Sequence, residues 1–234
     1  MGIFENLFGG KKKDAPLTNE KKFEILKYDG IRAMNMHNLP QAALCFEGAL
    51  KLVNDEDVMQ RLSGIYMAVD QFDDALRIIS LWKEAAPENA APLEMEAQSL
   101  LVLERYEEML DSAVVIKKLD PESPRGFYFA ARALAGLKKY PLALAELDTA
   151  VDVDDKFSPA LLLRARIDYK MENYDIAVKD ATAAIAVDED EEDAYMVRAR
   201  AYAALEMREN AEKDLKKVLA LNPFREDECK TVLG

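Results

Sequence analysis

A period of 34 residues governs this sequence. Segments beginning at Phe23, Glu56, Ala90, Pro124, Ser158 and Glu192 align with steps of 33, 34, 34, 34 and 34 residues, and the same residue types recur in the same columns. Self-similarity at such a period means one supersecondary unit stacked on copies of itself, because a single unit cannot bury its apolar face alone. The eighth column is small throughout (Gly30, Ser63, Ala97, Ala131, Ala165, Ala199), and the fourth is large and apolar (Leu26, Met59, Leu93, Phe127, Leu161, Tyr195). The seventeenth is mostly aromatic (Leu39, Phe72, Tyr106, Tyr140, Tyr174, then Arg208), and the twentieth is alanine except at Met109. Columns four, eight and eleven, and columns seventeen, twenty, twenty-four and twenty-seven, advance by the three-and-four steps of a helix face. Each period therefore reads as two amphipathic helices.

The prolines agree with this division. Proline is tolerated in a helix's first turn but costs about 3 kcal/mol in its interior. Pro92, Pro124 and Pro159 open first helices, Pro40 and Pro141 open second helices, and Pro87, Pro121 and Pro223 lie in links or just after the last repeat. With the small eighth and twentieth columns, the aromatic seventeenth and the prolines closing three repeats, residues 23–225 resemble the tetratricopeptide repeat family. The resemblance implies an all-α fold, a right-handed superhelical solenoid of six helix-turn-helix repeats (23–55, 56–89, 90–123, 124–157, 158–191, 192–225). It also implies a concave groove, lined by the first helices, that takes peptides or protein surfaces. Trp82 and Ile116 depart from the pattern at the twenty-seventh column while Ala113 shrinks the twenty-fourth. Such an exchange conserves core volume, and the least regular part of the superhelix is expected there.

Composition narrows the partners. The formal charge of −13 repels phosphate backbones, so nucleic acid is not an expected partner. Cys45 and Cys229 are too few for a disulfide framework or a four-ligand zinc site, and free thiols in a reducing compartment fit a cytoplasmic protein. The parts of an enzyme are missing: the single histidine, His37, stands at a turn without a partner at motif spacing, and no phosphate loop or nucleophile elbow occurs. The acidic run from Asp188 to Asp193 lacks the glycine and terminal glutamate of a calcium loop and reads as a solvated link. Neither cofactor nor metal is expected.

A groove with one electrostatic character is expected in the C-terminal half. In a first helix whose fourth, eighth and eleventh residues face the core, the second, fifth, ninth and twelfth face away from it. The ninth column ends in three arginines in register, Arg132, Arg166 and Arg200. Around them stand Arg125 in the second column, Tyr128, Leu162 and Met196 in the fifth, and Tyr169 in the twelfth with Lys170 beside it. A basic and apolar half-groove in an acidic protein suits an extended acidic segment with apolar anchors, because arginine pairs carboxylates in bidentate fashion. The alternative is that Glu94, Asp193 or the acidic links neutralise these arginines internally. Arg164 and Arg198, in the seventh column, read as structural, Arg164 pairing with Asp168 one turn on. The family's carboxylate clamp for chaperone tails is not matched: the first window reads Lys27, Ile31, Arg61, Ala91 and Met95, and that of the fourth repeat Tyr128, Arg132, Leu163, Asp193 and Val197.

Residues 1–22 lie outside the repeats as an expected flexible tail. Ile3, Phe4, Leu7 and Phe8 would share one helix face ahead of Lys11, Lys12 and Lys13, a patch suited to weak contact with the inner face of a membrane. Residues 226–234 form a short C-terminal cap, which makes self-association through that end a further expectation. The reading is a non-enzymatic cytoplasmic scaffold that binds a protein or peptide segment in repeats four to six, with a membrane-tethered assembly factor as the alternative.

Overall fold

Each period folds as two antiparallel helices closed by the same turn. The computed structural model describes residues 16–233, so the expected membrane-contact residues Ile3, Phe4, Leu7, Phe8 and Lys11 to Lys13 lie outside the described residues. The fifteenth column is left-handed in all six repeats without a glycine: His37, Asp70, Glu104, Lys138, Glu172 and Glu206 have φ between 56° and 65°. The ring that holds this conformation is also repeated. The amide of the sixteenth residue donates to the carbonyl of the eleventh, from Asn38 to Ala33 at 2.9 Å and from Met207 to Tyr202 at 2.8 Å, with the same bond in every repeat between. Satisfying the orphan carbonyls of the first helix in this way offsets the left-handed backbone.

The chain divides into two compact units. The first runs to Ala85 and contains α1 (Asn19–Asn35), α2 (Leu39–Leu50), α3 (Glu56–Ala68) and α4 (Phe72–Ala85). The second, from Ala86, contains α5 (Ala91–Val102), α6 (Tyr106–Leu119), α7 (Arg125–Gly136), α8 (Tyr140–Val153), α9 (Ser158–Lys170), α10 (Tyr174–Val187), α11 (Glu192–Ala204), α12 (Arg208–Leu221) and α13 (Glu226–Val232). Both units are all-α repeat solenoids, and no strand occurs among the described residues. Within a unit every first helix packs on its own second helix and each second helix on the next first helix. In the second unit the first helices α5, α7, α9 and α11 also touch in succession, which places their free faces side by side. Helix α1 starts four residues ahead of Phe23, capped by the Thr18 side chain, which accepts from the Lys21 amide at 3.3 Å.

Close helix contact is carried by the small columns. Every residue of the twentieth column, from Ala42 to Ala211, is wholly buried. Gly30 in the eighth column lies under the ring of Phe46, also wholly buried, and a methyl group added there would stand 2.5 Å from Cε1 of that ring. Trp82 fills its enlarged position by donating from Nε1 to Oε2 of Glu56 at 3.1 Å. Replacing Gly30 by alanine forces Phe46 to move in a filled core, which outweighs alanine's better helix propensity. A net loss of about 1–2 kcal/mol is expected in urea denaturation of Gly30→Ala.

Candidate functional site

Helices α7, α9, α11 and α13 carry the surface on which the ninth-column arginines stand. Arg132 has no ion pair among the described residues. Its guanidinium donates from Nη1 to the Tyr128 hydroxyl at 3.0 Å and lies 5.7 Å from the centre of that ring, which in turn meets Phe157 edge to face. Arg125 pairs with Glu94 and Arg166 with Asp193. Arg200 donates from Nη2 to Oε1 of Glu228 at 2.6 Å. Glu94 and Asp193 thus act as the internal partners that the bridging alternative names, and only Arg132 lacks a carboxylate.

Tyr169 and Arg200 come together. With Ala203, Ala204, Thr231 and Val232 they line a cavity of about 330 Å³ bounded by α9, α11 and α13. Most of its accessible lining is polar, with the Arg200 guanidinium beside Tyr169, Thr231, two alanines and Val232, a combination that suits a carboxylate. Other residues expected in the groove do not join it. Met196 is only 1% exposed and packs with Ala199, Leu215, Val218 and Cys229, because α13 covers its helix face. Leu162 is buried among Ala165, Ala181 and Val197, closed over by the next repeat. Lys170 turns to the ring of Tyr140, 5.9 Å away, instead of following Tyr169.

The C-terminal helix is the part of the site that column reading stopped short of. Glu226 stands 34 residues after Glu192, so α13 occupies the place of a further first helix, with Cys229 in the fourth column. Arg225 clasps it. Its guanidinium donates to Glu228 Oε2 at 2.6 Å and Oε1 at 3.0 Å, to Asp193 Oδ1 at 2.7 Å and to Glu192 Oε1 at 3.2 Å. A chain of alternating charge results, running Arg166, Asp193, Arg225, Glu228, Arg200. The Arg225 hydrogen bond holds the Glu228 carboxyl below its ordinary range. Burial works against ionisation of Asp193, yet its hydrogen bond to Arg225 and the charge of Arg166 leave that carboxyl lowered as well. Both carboxylates therefore favour the docked helix above the ordinary carboxyl range, and that contribution is lost as pH falls through their lowered values.

The seventh-column arginines have a different setting. Arg164 forks onto Asp180, with Nε and Nη2 at 2.6 and 2.8 Å from its two oxygens, and reaches Asp148 at 2.9 Å. Arg198 does the same to Asp214 at 2.7 and 2.8 Å and reaches Thr182 at 3.0 Å. The partner expected for Arg164 was Asp168, but that carboxylate accepts from Asn173 Nδ2 at 2.9 Å, and burial raises its pKa. The seventh and twenty-third columns face each other across the helix pair, and in the third repeat the same two columns hold Glu96 and Ser112, bonded at 2.8 Å.

Residues 192–225 match the family model of the tetratricopeptide repeat. Among solved structures, pilF of Pseudomonas aeruginosa is 17% identical with a TM-score of 0.70, over 91% of this chain and 98% of that one. A tetratricopeptide repeat protein from Parabacteroides merdae is 18% identical with a TM-score of 0.67, over 91% of this chain and 98% of that one. YrrB, described as a TPR protein with an unusual peptide-binding site, is 23% identical with a TM-score of 0.54, over 78% of this chain and 94% of that one. No curated protein matches the sequence significantly. No described helix is long and apolar enough to cross a membrane, and no cluster of metal-ligating side chains occurs among the described residues.

Burial sets the expected outcome of three substitutions. The Asp214 side chain is 5% exposed, so Arg198→Ala leaves a buried carboxylate unpaired and costs about 3 kcal/mol in denaturant unfolding. Arg166→Ala, at an exposed pair, costs less than about 1 kcal/mol in the same assay. Arg225→Ala unclasps α13, and dithiodipyridine should then modify the buried Cys229 at least about tenfold faster while Cys45, buried in α2, reacts as before.

Proposed function

The chain is a tetratricopeptide-repeat protein, and we propose that it works as a non-catalytic interaction scaffold whose repeats four to six bind an extended partner segment carrying carboxylates and apolar side chains. The observation that carries this reading is the cavity at Tyr169 and Arg200, a mostly polar recess that sets a cation beside a tyrosine ring, two alanines and a valine. Arg132 supports it. A guanidinium supported by a tyrosine hydroxyl and ring, with no carboxylate of its own, is preorganised for a ligand anion.

In this reading the partner's carboxylates meet Arg132 directly and exchange with Asp193 and Glu228 at Arg166 and Arg200. The exchange costs little at the solvent-exposed Arg166–Asp193 pair, and at the half-buried Arg200–Glu228 pair the carboxylate keeps its bonds to Arg225. The apolar side chain enters beside Tyr169, Ala203 and Val232. Arg164 and Arg198 stay in place as the struts between first and second helices.

Fluorescence anisotropy with a labelled peptide of alternating glutamate and phenylalanine tests the proposal against a lysine-for-glutamate counterpart. The acidic peptide should bind and weaken with salt, and the basic one should not. Replacing Arg132, Arg166 and Arg200 together by alanine should weaken binding at least about tenfold with the circular dichroism spectrum unchanged, since each charge-assisted hydrogen bond contributes about 1.5–3 kcal/mol. Equal binding by both peptides, or by both proteins, would reject the reading.

A further inference from the structure

Helix α1 is the one first helix with no second helix ahead of it among the described residues. The later first helices show what its leading face is built for. Their third and tenth columns are buried: Val58 and Ile65 in α3, Gly126 and Ala133 in α7, Ala160 and Ile167 in α9, Ala194 and Ala201 in α11. The cover is the second helix of the preceding repeat. Ala160 and Ile167 share a cluster with Leu147 and Ala150 of α8, and Ala194 and Val197 share one with Ala181 and Ile185 of α10. A Cβ at Gly126 would stand 2.8 Å from the Lys117 backbone nitrogen of α6. In α1 the same columns hold Ile25, 38% exposed, and Arg32, exposed and without an ion pair among the described residues. Tyr28, in the sixth column where Phe129 and Val197 are buried, is 67% exposed. This is a stacking face left open, distinct from the groove formed by the second, fifth, ninth and twelfth columns.

The sequence just ahead of α1 matches this face in length, pattern and charge. Residues 1–15 lie outside the described residues, and among them Ile3, Phe4, Leu7 and Phe8 fall on one helical face before Gly9 and Gly10. As a helix, residues 3–8 span about 9 Å, against about 10 Å from Ile25 to Arg32. The stretch from Gly9 to Leu17 extends to about 30 Å, enough to turn back and lay Phe8 on Ile25 with Ile3 toward Arg32. That direction is antiparallel to α1, as a short link makes each second helix to the next first helix. Charges agree with it. Glu5 comes on the side of Arg32, while Lys11 to Lys13 come near Glu20 and Glu24, both exposed and without an ion pair among the described residues. A tether of this length also holds the segment at an effective concentration of about millimolar, above that of a second copy in dilute solution.

We propose that residues 3–8 dock as a short helix on Ile25 and Tyr28 of α1 and close the first end of the repeat stack in the manner of a preceding second helix. Six residues do not hold a helix alone in water, so the helix and the cover of α1 form together. Phe4 and Phe8 supply most of the apolar area that is buried. Docking withdraws from lipid the four apolar residues that the sequence offers for membrane contact.

The test compares the full chain, ¹³C-labelled at the isoleucine δ1 methyl groups, with the double variant Phe4→Ser/Phe8→Ser, whose changes lie outside the repeats. Ring currents from Phe4 and Phe8 should displace the Ile25 resonance in the parent chain. In the variant that resonance should move while Ile167, in the covered tenth column of α9, stays in place. Backbone amides of α1 should exchange hydrogen at least about tenfold faster in the variant, with those of α9 unchanged. Dilution by about tenfold should alter none of these differences. The same Ile25 resonance in both proteins would overturn the proposal. A difference that vanishes on dilution would overturn it in favour of a second copy on α1. No difference in buffer, joined to one that arises on adding phosphatidylglycerol vesicles, would overturn it in favour of a lipid surface.

Discussion

The distance at which two antiparallel helices can pass is the constraint on which the rest of this structure depends. Nothing larger than serine stands in the eighth column, and the twentieth is wholly buried in all six repeats. Close-packed interiors leave no room for an added methyl group at such a contact, as the ring of Phe46 over Gly30 shows. Once the helix pair is that close, its remaining faces are assigned by the 3.6-residue period. The fourth and eleventh columns turn toward the partner helix, and the second, ninth and twelfth turn away from it. The free surface that carries the arginines is thus a geometric consequence of small residues on the opposite side of the same helices.

Those small and aromatic columns were legible in the sequence because they are local, repeated and chemically alike. The left-handed turn residue was not. His37, Asp70, Glu104, Lys138, Glu172 and Glu206 share no side-chain type, and their conformation is held by a backbone ring that any residue can close. The partner of Arg164 was misread for a related reason. Asp168 is one turn away along the helix, but the seventh column faces across the pair, sixteen residues on, to Asp180. The fifth column misled at Leu162 and Met196 because a reading of one helix at a time omits what the next repeat and α13 cover. Continuing the period past residue 225 would have revealed α13 and its clasp, since Cys229 falls in the large fourth column.

Burial sorts the arginines of the second unit into two populations with different chemistry. Arg164 and Arg198 fork onto aspartates that are almost wholly buried, where removing either partner strands a charge in a poorly solvated place. A ligand carboxylate cannot exchange into such a pair at small cost, so these arginines brace the fold whatever binds beside them. Arg166 and Arg200 pair with carboxylates that remain about as solvated as they are, so the internal bridge and a bridge to a partner are nearly equal in free energy. The two readings of the ladder, bridging and binding, are therefore not exclusive at those positions. Arg132 stands apart from both populations, since there is no internal carboxylate to displace and the Tyr128 hydroxyl already fixes its plane. In the proposed binding mode, an incoming acidic segment meets least competition at Arg132. The same segment, extended along α9 and α11, then encounters progressively more of the chain's own carboxylates as it approaches α13. On that proposal, affinity along the groove is graded by what the protein supplies to itself, and the clasp of Arg225 on Glu228 sets how firmly its far end is held.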